Sequence, residues 1–151
     1  MEKDLEFMWN IFDEMILHSD ISKMDEIQRK TLLCYQYNEE MHKGGHWRYF
    51  ENKKNTDHYE VVKALKFIGA VAQADILLEA IEIREIEIKH HEIDPEDYYS
   101  GSKGYYQQSK EIKKRYEKLD DAYFDCDPDM DSYLLDVFEK HYNRFVCSGN
   151  K

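Results

Sequence analysis

His42 and His46 stand four residues apart, the spacing at which two imidazoles on one helix can ligate a single zinc ion. The glycine pair between them, Gly44 and Gly45, works against that geometry because glycines end helices, and no HExxH or CxxC pattern supplies further ligands. A phosphate cradle is no better served: HKGGH lacks the longer glycine-spaced run and the following Lys and Ser or Thr. Both histidines are therefore expected as surface or cap residues. His90-His91-Glu92 offers a second cluster, but neighbours on a helix point about 100° apart, and favourable contact with a helix C-terminal dipole is the better reading. Cys34, Cys126 and Cys147 lack any base placed to activate a thiolate and are read as packing residues.

Aspartates carry the other candidate chemistry. In DCDPDMD, Asp125, Asp127, Asp129, Asp131 and Asp136 fall at positions 1, 3, 5, 7 and 12 of a calcium loop. Met130 occupies the sixth position, where glycine is required, Pro128 the fourth, and Asp136 stands where a longer Glu supplies two oxygens. Helix capping in a solvated acidic turn is the alternative. From Glu117 to Glu139 the chain holds nine acids (Glu117, Asp120, Asp121, Asp125, Asp127, Asp129, Asp131, Asp136, Glu139) against Lys118, a local net of −8. Such a segment attracts basic protein surfaces. As an imitation of duplex DNA it is partial, since about twenty charges line about 35 Å of duplex.

Over the whole chain 21 basic residues face 32 acidic ones, a net of −11, which disfavours direct contact with nucleic acid. The odd cysteine count and the start MEKDLEF, with no basic leader or apolar run, predict a reduced cytoplasmic protein. No stretch reaches the roughly 20 apolar residues of a membrane span. Two prolines and six glycines are too few for a turn-rich β architecture, and 151 residues suit one core.

The elements that must position these residues read as helices. Leu5, Met8, Trp9, Phe12, Met15 and Ile16 recur at helical spacing opposite Asp4, Glu6, Asp13 and Glu14. Ser22 with Asp25 predicts a capping box, and the helix that follows runs through Leu32, Tyr35 and Met41 to the glycines. Gly44 is expected to take the positive φ of a helix end and Gly45 to turn the chain into a short helix, with Trp47 and Phe50 buried and Arg48 and Glu51 outward. After the polar loop NKKNT, Asp57 and Glu60 predict a second capping box before Val61 to Ile68, closed by Gly69. Ala70 to about His90 is assigned to helix although IEIREIEI, residues 81–88, alternates like a strand, because Ala74, Leu77, Ala80 and Ile81 continue one stripe. Asp94-Pro95-Glu96 reads as a helix start, Ser100 to Gly104 as a loop, and Tyr105, Ile112, Tyr116, Leu119 and Tyr123 as the next stripe. An acidic turn, Asp120 to Asp131, precedes a last helix carrying Tyr133, Leu134, Val137, Phe138 and Tyr142. The expected fold is all-α: one domain over residues 1–147, a bundle of six to seven helices, and a frayed tail at 148–151.

Three segments in order resemble a family: Gly44-Gly45 leading to Tyr49-Phe50 and Asn52; ALKFIGA at 64–70 with Leu77, Leu78 and Ala80; and LDDAYF at 119–124. The family is a small helical bacterial domain of unknown function that includes a protein described as a DNA mimic. Its usual run is NGG, then Phe, a variable residue, Gln, Tyr or Phe, and Phe; here Lys43 replaces the asparagine, His46 the first aromatic and Arg48 the glutamine. The resemblance implies an all-helical fold and, for at least one member, dimerisation and binding of a transcription factor in place of DNA. From the residues themselves, the glycines make a reversal, Trp47 and Phe50 enter the core, and Tyr49 with Asn52 ties the following loop.

The combined expectation is a cofactor-free, non-enzymatic interaction protein. Asp120, Asp121, Asp125, Asp127, Asp129, Asp131 and Asp136 would meet a basic protein, and a homodimer is compatible with this. One version is mimicry of DNA. An immunity or antitoxin-like inhibitor of a basic enzyme, using tyrosines as anchors, is another. A metal-binding or enzymatic domain using His42, His46, His58 or the turn Asp125–Asp136 is the rival class.

Overall fold

The computed structural model describes residues 2–91 and 103–146. Among them are seven α-helices, one 3-10 turn and no strand: α1 (Glu2–His18), the 3-10 turn Ile21–Lys23, α2 (Glu26–Asn52), α3 (His58–Phe67), α4 (Val71–His91), α5 (Lys103–Phe124), α6 (Met130–Lys140) and α7 (Tyr142–Phe145). The all-α bundle read from the sequence is the observed fold. The helix start at Asp94-Pro95 and the tail at 148–151 lie outside the described residues.

Helix α2 is the axis of the bundle. It packs against α1, α3, α5, α6 and α7, while α4 packs against both α3 and α5. Met8 and Phe12 of α1, Leu32, Tyr37 and Met41 of α2, and Leu65, Leu77, Tyr116 and Leu134 of the later helices are fully or almost fully buried. Each large side chain taken from water contributes about 1.5–3 kcal/mol, so these stripes fix which helix faces meet.

Several local predictions need correction. The capping box is Asp25 with Gln28, not Ser22 with Asp25: Asp25 Oδ1 accepts from Gln28 N–H at 2.8 Å and Gln28 Oε1 from Asp25 N–H at 3.2 Å. Ser22 sits in the 3-10 turn, capped by Asp20. The positive φ falls on Gly45 (φ 78°, ψ −165°) rather than Gly44, so α2 is kinked one residue later than expected. A Cβ on Gly45 would land on the Asp120 carboxylate, a second reason why only glycine serves. Asp57 does cap α3, but Glu60 reaches the Arg29 guanidinium and leaves the box one-sided. Gly69 (φ 95°) closes α3 as expected. Lys103 and Gly104 belong to α5 and not to a loop, and Tyr142 opens a separate short helix.

Residues 81–88 are helical. Ile81 and Ile83 are both buried although they point to different sides of α4, because that helix is covered by α3 and α5 at once. Burial on two sides accounts for the strand-like alternation of Ile81 and Ile83.

Candidate functional site

The kink at Gly45 turns His46 into the core. Its imidazole is fully buried, contrary to the expected surface or cap position. Asp120, 74 residues on in α5, accepts through Oδ1 from both the His46 backbone N–H (2.9 Å) and Nδ1–H (2.7 Å). With Nδ1 protonated toward the carboxylate, Nε2 accepts from the Tyr37 hydroxyl at 2.6 Å. Tyr37 is in turn ringed by His46, Tyr49 and Tyr123, with centroids 5.7, 5.0 and 5.4 Å away. Burial raises the Tyr37 and Tyr123 hydroxyls well above their ordinary range, so both act as neutral donors. Tyr123 gives its proton to Asn38 Oδ1 at 2.5 Å.

The rest of the glycine–aromatic motif clamps the kink. Phe50 is fully buried and Trp47 half-buried, while Tyr49 is buried beside Phe50. Glu40, before the bend, receives Asn52 Nδ2–H at 2.9 Å and Arg48 Nε at 3.3 Å from beyond it. Asn52 thus reaches back along α2 and not into the next loop. Tyr49 does reach forward: its hydroxyl and His58 Nδ1 share a bond of 2.9 Å at the start of α3. Burial lowers His58 to about 4, assisted by the nearby Arg84 charge.

His42 stays outside, its ring 5.1 Å from that of Phe124. His42 and His46 therefore do not converge, and among the described residues no group of three His, Cys, Asp or Glu side chains is placed to hold a metal ion. Burial pushes the Cys34 thiol up, and burial with the Asp125 charge does the same to Cys126, the reverse of an activated nucleophile.

The seven aspartates divide into two sets. Asp121, Asp125, Asp127, Asp129 and Asp136 are exposed along the end of α5, the turn and α6. Asp129 caps α6 through Ser132 N–H (2.9 Å), and Asp136 pairs with Lys140 at 3.1 Å. Asp120 and Asp131 face inward, Asp120 to His46 and Asp131 to the Trp9 indole N–H at 3.2 Å. Gln73 of α4, fully buried, anchors the turn by donating to the Pro128 carbonyl at 3.0 Å.

Beside this turn an open groove of about 820 Å³ runs between α1 and α2. The carboxylates of Glu6, Asp13, Glu39 and Asp131 border it, opposed by Lys43 and neighboured by His42. Tyr35 donates to Asp13 at 2.8 Å from its wall. Burial, with Asp13 close by, raises Glu39, and burial raises Asp131 against the opposing indole hydrogen bond. Sequence reasoning missed this groove and the His46–Asp120 pair. One signal for the pair was present: His46 stands where the family pattern has an aromatic ring, which marks a core position.

Among the described residues no helix is long and apolar enough to cross a membrane. Comparison with curated proteins and with solved structures found no match. The sequence does match the family described as DMP19-like protein over residues 22–141, from the 3-10 turn to the end of α6, and the chain, as its glycine–aromatic motif led us to expect, belongs to that family.

Proposed function

We propose that this protein is a non-enzymatic interaction protein of the cytoplasm that presents acidic side chains to a basic protein, in the manner of a DNA mimic facing a DNA-binding regulator. The observation that carries the reading is the exposure of Asp121, Asp125, Asp127, Asp129 and Asp136 on one contiguous stretch. The α5–α6 turn, which carries Asp125, Asp127 and Asp129, is anchored on buried Gln73. Charges held on a fixed scaffold steer a basic partner and set its register. Asp120 and Asp131 serve this role less directly, since their carboxylates support the scaffold.

Affinity capture from the native host tests the proposal, with Asp121, Asp125 and Asp127 changed together to Asn. These three side chains carry no helix cap, so the fold is retained. The wild-type protein is expected to capture a basic DNA-binding protein that duplex DNA competes away, and the triple variant to lose it. Equal capture by both proteins would remove the acidic stretch from the account; capture indifferent to duplex DNA would remove the mimicry.

A further inference from the structure

We infer that the groove between α1 and α2 receives an arginine-bearing peptide segment of a basic protein partner. This rests on the interaction reading above and names the segment chemistry that the reading leaves open. Four carboxylates, Glu6, Asp13, Glu39 and Asp131, border the groove against the single lysine Lys43, so its charge complement is cationic. Two of them, Asp13 and Asp131, are held in place by Tyr35 and Trp9, which sets their oxygens without neutralising them. The same two rings form part of the wall, and a planar guanidinium both stacks on aromatic faces and forks onto carboxylates, which an ammonium does less well. Asn38, only 4% exposed, also lines the groove; its Oδ1 is taken by Tyr123, and its amide NH2 donates to no group among the described residues. A peptide carbonyl entering the groove can accept from this donor. The groove adjoins the exposed aspartates, since Asp131 on its border stands two residues from exposed Asp129 and His42, also at its border, packs on Phe124.

The test uses an N-acetylated, C-amidated Gly-Arg-Gly-Arg-Gly peptide, titrated into isotopically labelled full-length protein at near-physiological salt and followed by NMR. A citrulline peptide of the same shape without charge, and spermidine, serve as comparisons. Saturable shifts of the Trp9 indole N–H and the Asn38 amide are expected with the arginine peptide. The apparent Kd should rise at least tenfold in the Asp13→Asn, Glu39→Gln double variant. Asn10→Lys, which sets a resident cation on the wall at an exposed position, should have the same effect if the double variant folds poorly. Unchanged affinity in both variants, equal binding of the citrulline peptide or of spermidine, or shifts confined to the backbone amides of Asp121 to Asp129 would overturn the groove assignment. Because capture from the host is tested with Asp121, Asp125 and Asp127, outside the groove, loss of this inference leaves a distinct signature from loss of the broader one.

Discussion

His46 Nδ1 lies 2.7 Å from Asp120 Oδ1, and the same oxygen also accepts the His46 backbone N–H. One carboxylate oxygen therefore holds the ring and the chain of a residue that follows directly on a kink, and it links the middle of α2 to the end of α5. Replacing Asp120 by Ala strands two donors, each costing about 1–3 kcal/mol when left without an acceptor. A loss of about 3 kcal/mol is expected in urea denaturation. Asp120→Asn keeps an acceptor oxygen and should lose clearly less.

Gly45→Ala meets two obstacles, a φ of 78° with an extended ψ and the nearby Asp120 carboxylate. That backbone region is essentially confined to glycine, and an alanine forced into it costs on the order of 1–3 kcal/mol before the clash is counted. A fall in Tm of about 5–10 °C is expected by calorimetry, taking about 2–4 °C per kcal/mol for a chain of this size. A smaller fall than that of an ordinary surface substitution would show that the bend relaxes.

His58 is held near 4 in the folded protein, below its ordinary 6.5, by burial and by Arg84. The unfolded chain therefore takes up the proton first as pH falls. The stability of the neutral imidazole is complete above about 6.5 and is lost progressively down to about 4, by up to about 3 kcal/mol. Chemical denaturation at pH 7, 6, 5 and 4 should show that decline, and His58→Gln should flatten it. An unchanged slope in the variant would assign the decline to other groups.

Cys34 should resist alkylation while the protein is folded, because its thiol is fully buried and burial holds it in the protonated form. Peptide mass spectrometry after iodoacetamide at pH 8 is expected to find Cys34 modified only in denaturant. Cys126, half-buried, should react slowly in the native state.

Period and punctuation made most of the helices legible. The Leu5 to Ile16 stripe, Asp57 as a cap and Gly69 as a stop appear where local chemistry alone places them. What the sequence hid depends on contacts across the chain. At Gly45, the glycine that takes positive φ, the backbone meets Asp120, 75 residues beyond, and no window around the glycine pair contains that contact. His46 looked like a surface residue because Asp120 belongs to α5 and Tyr37, nine residues upstream in α2, is brought to it only by the kink at Gly45. The aspartates read as one uniform run because composition cannot tell a carboxylate facing water from one facing an indole or an imidazole. Asp131 and Asp121 are equally acidic in sequence and differently placed in space.

The indole of Trp9 donates to Asp131 at the groove border, and the chain has one other tryptophan, Trp47, which packs near Tyr116 and does not line the groove. Changing Trp47 to Phe would leave a single indole, excited apart from the tyrosines at the red edge of the absorption band, whose emission is sensitive to that carboxylate. Its wavelength and quenching would then report, without any added label, when something enters the channel beside it.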